Sequence, residues 1–197
     1  MARARPVPPT LVDALWPAAG ASRALRAVLL ALLGSALLTV SAKVQVPFYP
    51  VPMTLQTLVV LLLGLALGWR LAFATVLLYL AQGAAGLPVF AGTPEKGIGL
   101  AYLLGPTGGY LIGFAFAAAV AGWIAGHRRD ILALVAAVLA GTATIYVFGL
   151  PWLATLVGVQ QAIVLGLVPF LLGDLVKAAL AVALGIAGGE LVRRLQP

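Results

Sequence analysis

The chain has 197 residues, 63% of them hydrophobic and 9% charged, with a formal net charge of +7 and no cysteine. A soluble domain carries about 25% charged residues, so with a mean hydropathy of +1.13 this reads as an integral membrane protein, all-α, with one domain. The lack of cysteine excludes a disulfide framework, a thiolate metal site and a cysteine nucleophile. The positive charge sits at the ends of hydrophobic runs, with no basic helix face, which points to membrane topology and away from nucleic acid.

Residues 1–22 form a Pro/Arg/Ala segment, expected to be a cytoplasmic tail of little regular order, with Trp16 at the interface. The rest, 23–197, is expected to be a single six-helix transmembrane domain. Span 1 covers 24–42 and ends near Lys43; it has no small-residue cleavage site and is read as a retained span. Three prolines in six residues, Pro47, Pro50 and Pro52, force an extended turn next. Span 2 runs from Met53 or Thr54 to Gly68, with Thr54 as its cap. Span 3 follows at once, 69–83. Both are short against the roughly 20 residues of a full crossing. The apolar, Gly-rich connection 84–106 is long enough to fold over something. Span 4 is 107–126 and span 5 is 131–149. Residues 151–166 form a connector with a short helix around Gln160 and Gln161. Span 6 is 167–193, with Pro169 in its first turn, where proline is tolerated.

Six spans put both termini on one side. Arg3, Arg5, Arg23, Arg26, Arg70, Arg128, Arg129, Arg193 and Arg194 fall on that side; only Lys43 and Lys96 fall opposite. This asymmetry makes both termini cytoplasmic, in a cell inner (plasma) membrane.

Within span 6, Asp174 and Lys177 are three residues apart and share a helix face. Either charge alone against lipid costs about 2.5–3.5 kcal/mol. They are expected to face a cavity about 10 Å below the outer surface, at 1.5 Å rise per residue, as a ligand site or as a buried ion pair. Gln56, one turn into span 2, suits a ligand contact or an interhelical hydrogen bond equally. Lys96 is either a solvated loop charge or the cation for an acidic ligand tail; Lys43 is the other candidate. Gly105-Pro106-Thr107-Gly108-Gly109-Tyr110 lacks the lysine of a phosphate-binding loop and is expected to give close helix packing. Ala27, Ala31 and Ser35 form a small-residue stripe which spacing alone assigns to packing within the chain. The single histidine, His127, beside two arginines, suggests neither a metal nor catalysis. There is no nucleophile–base set and no ATP-binding motif, so any transport must draw its energy elsewhere or run passively. No cofactor is expected.

Val46-Pro47-Phe48-Tyr49-Pro50-Val51-Pro52-Met53-Thr54-Leu55-Gln56, Gly86-Leu87-Pro88-Val89-Phe90-Ala91-Gly92, Leu104-Gly105-Pro106-Thr107-Gly108-Gly109-Tyr110-Leu111 and Gly173-Asp174-Leu175-Val176-Lys177 together resemble the BioY family. These are the biotin-specific substrate-binding (S) components of energy-coupling-factor (ECF) transporters. The resemblance covers about residues 24–195. It implies an ECF S-component-like bundle that captures biotin from the outer side, working with a transmembrane coupling subunit and a pair of ABC-type ATPases. It further implies that Asp174, Lys177 and Gln56 bind biotin and that Ala27 and Ala31 contact the coupling subunit, reversing the assignment from spacing. Many members have a glycine-rich outer loop where this chain has Thr93-Pro94-Glu95-Lys96-Gly97.

The chemistry agrees. A carboxylate can accept the ureido N–H groups of biotin and an ammonium can meet its oxygen. Phe90, Tyr102 and Tyr110 can supply an apolar slot for the thioether ring and chain, and the acid would reach toward the outer loop. The alternative within transport is a solitary or oligomeric biotin transporter working without ATPases. An intramembrane enzyme and a purely structural subunit rank below both.

Overall fold

The structure, a computed structural model, describes residues 10–128 and 130–195. Arg3, Arg5 and Arg129, which entered the charge asymmetry, lie outside the described residues. The chain begins with a short helix α1 (Leu11–Leu15), followed by α2 (Ala21–Lys43) and a hairpin of two short strands, β1 (Gln45–Val46) and β2 (Met53–Thr54). Then come α3 (Gln56–Leu67), α4 (Trp69–Ala84), α5 (Gly99–Leu103), α6 (Gly108–His127), α7 (Ile131–Val157) and α8 (Val159–Gly166). A 3-10 turn over Val168–Phe170 leads into α9 (Leu171–Leu195).

Among the described residues, four stretches are long and apolar enough to cross a membrane: Ser22–Lys43, Gly108–His127, Ile131–Val157 and Val159–Arg194. Helices α3 and α4 have 12 and 16 residues, about 18 and 24 Å long. They are split by Gly68 at φ +75°, a left-handed conformation that favours glycine. Gln56 near the start of α3 bonds Tyr79 near the end of α4, so the two form an antiparallel pair. Large apolar side chains stay exposed on the outer faces, among them Leu33, Val147, Leu172 and Leu175, as a lipid-facing surface requires.

Helix α6 is the centre of the bundle, packing on α3, α4 and above all α7. Its glycines permit this. A Cβ on Gly109 would stand 2.3 Å from Trp152 Cβ, and one on Gly113 3.0 Å from Ile145 Cα. The expected close packing at Gly108-Gly109 is thus what the backbone shows. The core falls into two clusters: one around Tyr79, Phe90, Tyr110 and Phe114, the other around Leu61, Leu65, Ala121 and Leu134.

Three local expectations change. The connector expected from Pro151 is helical: α7 continues through Pro151 to Val157. Pro151 is exposed, and Trp152 donates its indole N–H to the Gly105 carbonyl at 2.9 Å, so tertiary anchoring offsets the one bond that proline removes. Leu55, not Thr54, is the cap residue of α3, although Thr54 Oγ1 accepts the Gln56 N–H at 3.3 Å. The tail is partly helical: Thr10 caps α1, accepting the Asp13 N–H, and Asp13 pairs with Arg26 of α2 at 2.9 Å. Burial pushes the Asp13 carboxyl up, but hydrogen bonds from Thr10 and Arg26 and the guanidinium charge bring it net below the ordinary carboxylate range.

Candidate substrate-binding site

The start of α9, the start of α3, the middle of α7, the start of α6 and the loop after α4 converge on one chamber. Asp174, Lys177, Gln56, Thr57, Tyr102, Tyr110 and Tyr146 are among its lining. Phe114, Ile145 and Phe170 add apolar wall. The cavity measures about 50 Å³, well under the roughly 300–1,000 Å³ of small-molecule sites, so the chamber is narrow.

Asp174 and Lys177 are buried, 8% and 9% exposed, with Lys177 Nζ donating to Asp174 Oδ1 at 3.0 Å. Thr57 Oγ1 donates to the same oxygen at 3.4 Å, and the Tyr146 hydroxyl donates to Oδ2. Ionised, the pair is neutral, and it keeps spare capacity. A carboxylate offers about four acceptor sites and an ammonium three donors; among the described residues, three of the former and one of the latter are used. The floor can therefore take a neutral ligand bearing both N–H groups and a carbonyl.

Gln56 donates to the Tyr79 hydroxyl at 2.8 Å and accepts from Thr54 Oγ1 at 3.2 Å. Tyr79 in turn donates to the Val89 carbonyl at 3.0 Å. Gln56 lines the chamber and ties α3 to α4, the interhelical hydrogen bond that was one of its two readings. Tyr102 and Tyr110 present their rings to the chamber, but their hydroxyls are committed. Tyr102 donates to the Ala91 carbonyl at 2.7 Å and Tyr110 to the Gly166 carbonyl at 2.9 Å.

Two expected site residues lie elsewhere. Phe90 is fully buried one layer behind the wall, stacked on Tyr102 with centroids 5.0 Å apart and edge-on to Tyr79. It packs onto Gly83, where a Cβ would clash with its ring at 2.0 Å. Lys96 is exposed and lines an adjoining cleft. Lys43, the other candidate for an acidic group, uses its ammonium on the loop: it donates to the Phe90 and Thr93 carbonyls at 2.9 and 3.0 Å and to Thr93 Oγ1 at 3.0 Å.

Ala27 and Ala31 are half-buried on α2, while Ser35, in the same stripe, is buried and donates to Gln82 Oε1 of α4. The stripe thus divides, its Ser35 end turned inward. The sequence reading missed Tyr146 and Thr57. Their only signal was a hydroxyl in a mostly apolar helix, one of four hydroxyl residues in α7 for Tyr146 and the neighbour of Gln56 in α3 for Thr57.

A helical membrane bundle with one charged chamber at one end is the architecture of a transporter substrate-binding component. The solved S-component for biotin from an ECF-type ABC transporter superimposes with a TM-score of 0.73 at 26% identity, covering 91% of this chain and 95% of that one. The BioY family model matches residues 13–194, and the chain belongs to that family. Among its relatives, a probable biotin transporter BioY of Pyrococcus horikoshii is 46% identical over 75% of this chain and 86% of its own length. The biotin transporter BioY of Thermotoga maritima is 39% identical over 77% of this chain and 89% of its own.

Proposed function

We propose that this chain is the biotin-binding membrane subunit of an uptake system, with Asp174 and Lys177 holding the ureido ring. The strongest support is the buried, mutually neutral pair with unused donors and acceptors on the chamber floor. Biotin's ring brings two N–H donors and one carbonyl, the complement of a carboxylate and an ammonium. Tyr102, Tyr110, Phe114 and Phe170 flank the space for the thioether ring and chain.

The chamber opens to the outer side. Arg23, Arg70, Arg128, Arg193 and Arg194 belong to helix ends remote from the chamber: the start of α2, the start of α4, the end of α6 and the end of α9. Lys43 and Lys96 lie at the chamber end. That asymmetry supports cytoplasmic termini and six crossings, with α3 and α4 as short ones. Ala27 and Ala31, among exposed Leu25, Val28, Leu32 and Leu33, form the face for a transmembrane coupling subunit. That subunit is joined to ABC-type ATPases, a reading supported by the likeness to the S-component for biotin from an ECF-type ABC transporter.

Calorimetric titration of the purified protein tests the site. Biotin should bind, and Asp174→Asn should weaken it by roughly 2 kcal/mol or more, about thirtyfold. Full affinity in the variant would refute the assignment. Uptake in cells with and without ATPase subunits tests the partnership: it should vanish without them.

A further inference from the structure

Beside the chamber lies a second cleft, between Pro50 and Pro52 of the hairpin turn and Gly105 and Pro106 ahead of α6. It measures about 100 Å³. Pro52, Tyr102 and Thr107 line both cavities, so the rim of the chamber is also the wall of the cleft. The two differ in character. Gln56, Asp174 and Lys177 in the chamber are buried, whereas Lys96 and Ala101 in the cleft are exposed.

The cations at this end are unequal. Lys177 is neutralised by Asp174. Lys43 is bound to three loop oxygens. The Lys96 ammonium makes no hydrogen bond or ion pair among the described residues, yet its stem is held. Its N–H donates to the Gly92 carbonyl at 2.8 Å, and its methylenes cover Gly92 so closely that a Cβ there would sit 2.8 Å from Lys96 Cδ. A positioned, uncommitted cation therefore stands over an open cleft that adjoins the chamber. Apart from Lys96, the cleft is lined by the small Ala101, by Pro50, Pro52 and Pro106, which have no N–H, and by Tyr102, Gly105 and Thr107.

We infer that the cleft receives the acid end of the ligand, and that the site is open there: it accepts biotin extended through its carboxylate, such as an amide to the side-chain amine of lysine. This rests on the biotin reading above. Recognition lies in the chamber, at the ring, while the far end of the chain lies in the adjoining cleft, beside the exposed Lys96 and Ala101. Lengthening that end costs little, and neutralising it forfeits only a surface ion pair, about fivefold in affinity at most. Such lysine amides are what proteolysis leaves of proteins that carry biotin on lysine, so the chain would recover the vitamin from them as well as free.

Competition against labelled biotin on the purified full-length protein decides this. Biotinyl-lysine should displace the label within about tenfold of the concentration of biotin itself. The simple primary amide of biotin should bind up to about fivefold more weakly than the acid, and Lys96→Ala should shrink that gap by weakening the acid. If biotin binds but biotinyl-lysine fails at a hundredfold excess, the far end is closed and the inference falls. If the gap survives in Lys96→Ala, Lys96 is not the counter-ion. If biotin itself does not bind, the failure belongs to the proposed function, and this inference falls with it.

Discussion

At the residue scale, three tyrosines at the chamber carry their hydroxyls to different ends. Tyr146 serves the charged floor, whereas Tyr102 and Tyr110 serve the backbone. A hydrogen bond to a charged group contributes about 1.5–3 kcal/mol, so Tyr146→Phe should cost about tenfold or more in biotin affinity by titration. Tyr110→Phe strands the Gly166 carbonyl and should instead cost about 1–3 kcal/mol of stability, with affinity within about threefold. The opposite pattern would mean that the floor is not where the ligand sits. Asp174 and Lys177 were legible in the sequence because two opposite charges one turn apart in hydrocarbon persist only where they meet each other or a cavity. Tyr146 was not, because a lone phenol in an apolar run has the same signature as a core aromatic. Phe90 was misplaced for the converse reason: spacing gives no depth, and a glycine at position 83 lets its ring sink behind Tyr102.

At the element scale, the loop after α4 is tied to the end of α2 by a single ammonium. Lys43 reaches oxygens of residues 90 and 93, a pairing with no sequence signature because nearly fifty residues intervene. Replacing it with methionine keeps the stem and removes the donors. Lys43→Met should increase amide exchange across residues 90–97 and quicken biotin release several-fold, for about 1 kcal/mol or more of lost hydrogen bonding. Unchanged exchange there would show that the loop is held by other contacts. The helices behind the expected spans were legible from hydropathy, most of them to within a few residues. Two segments departed from that pattern. Proline stops a helix only if nothing else holds the next turn, and Trp152 holds it. The helix α1 depends on a clasp from Arg26 that a local reading does not contain.

At the scale of the molecule, the proposed sidedness rests on where the basic residues fall, and the lack of cysteine makes it directly measurable. Glu95→Cys, on the exposed loop at the chamber end, should react with an impermeant maleimide on intact cells. His127→Cys, at the other end of α6, should react only after permeabilisation; the reverse result would invert the orientation and remove capture from outside. The glycine at 68 has a further effect on the surroundings. On the six-crossing reading, α3 is buried and α4 faces outward through Leu77, so one flank of the protein is about 6 Å shorter than the roughly 30 Å oily slab around it. Acyl chains bordering that flank must crumple or splay, so the protein carries a dimple of thinned bilayer on one side only. The melting midpoint should then be higher in short-chain than in long-chain phosphatidylcholine, and in thick membranes these molecules should gather flank to flank to share the defect.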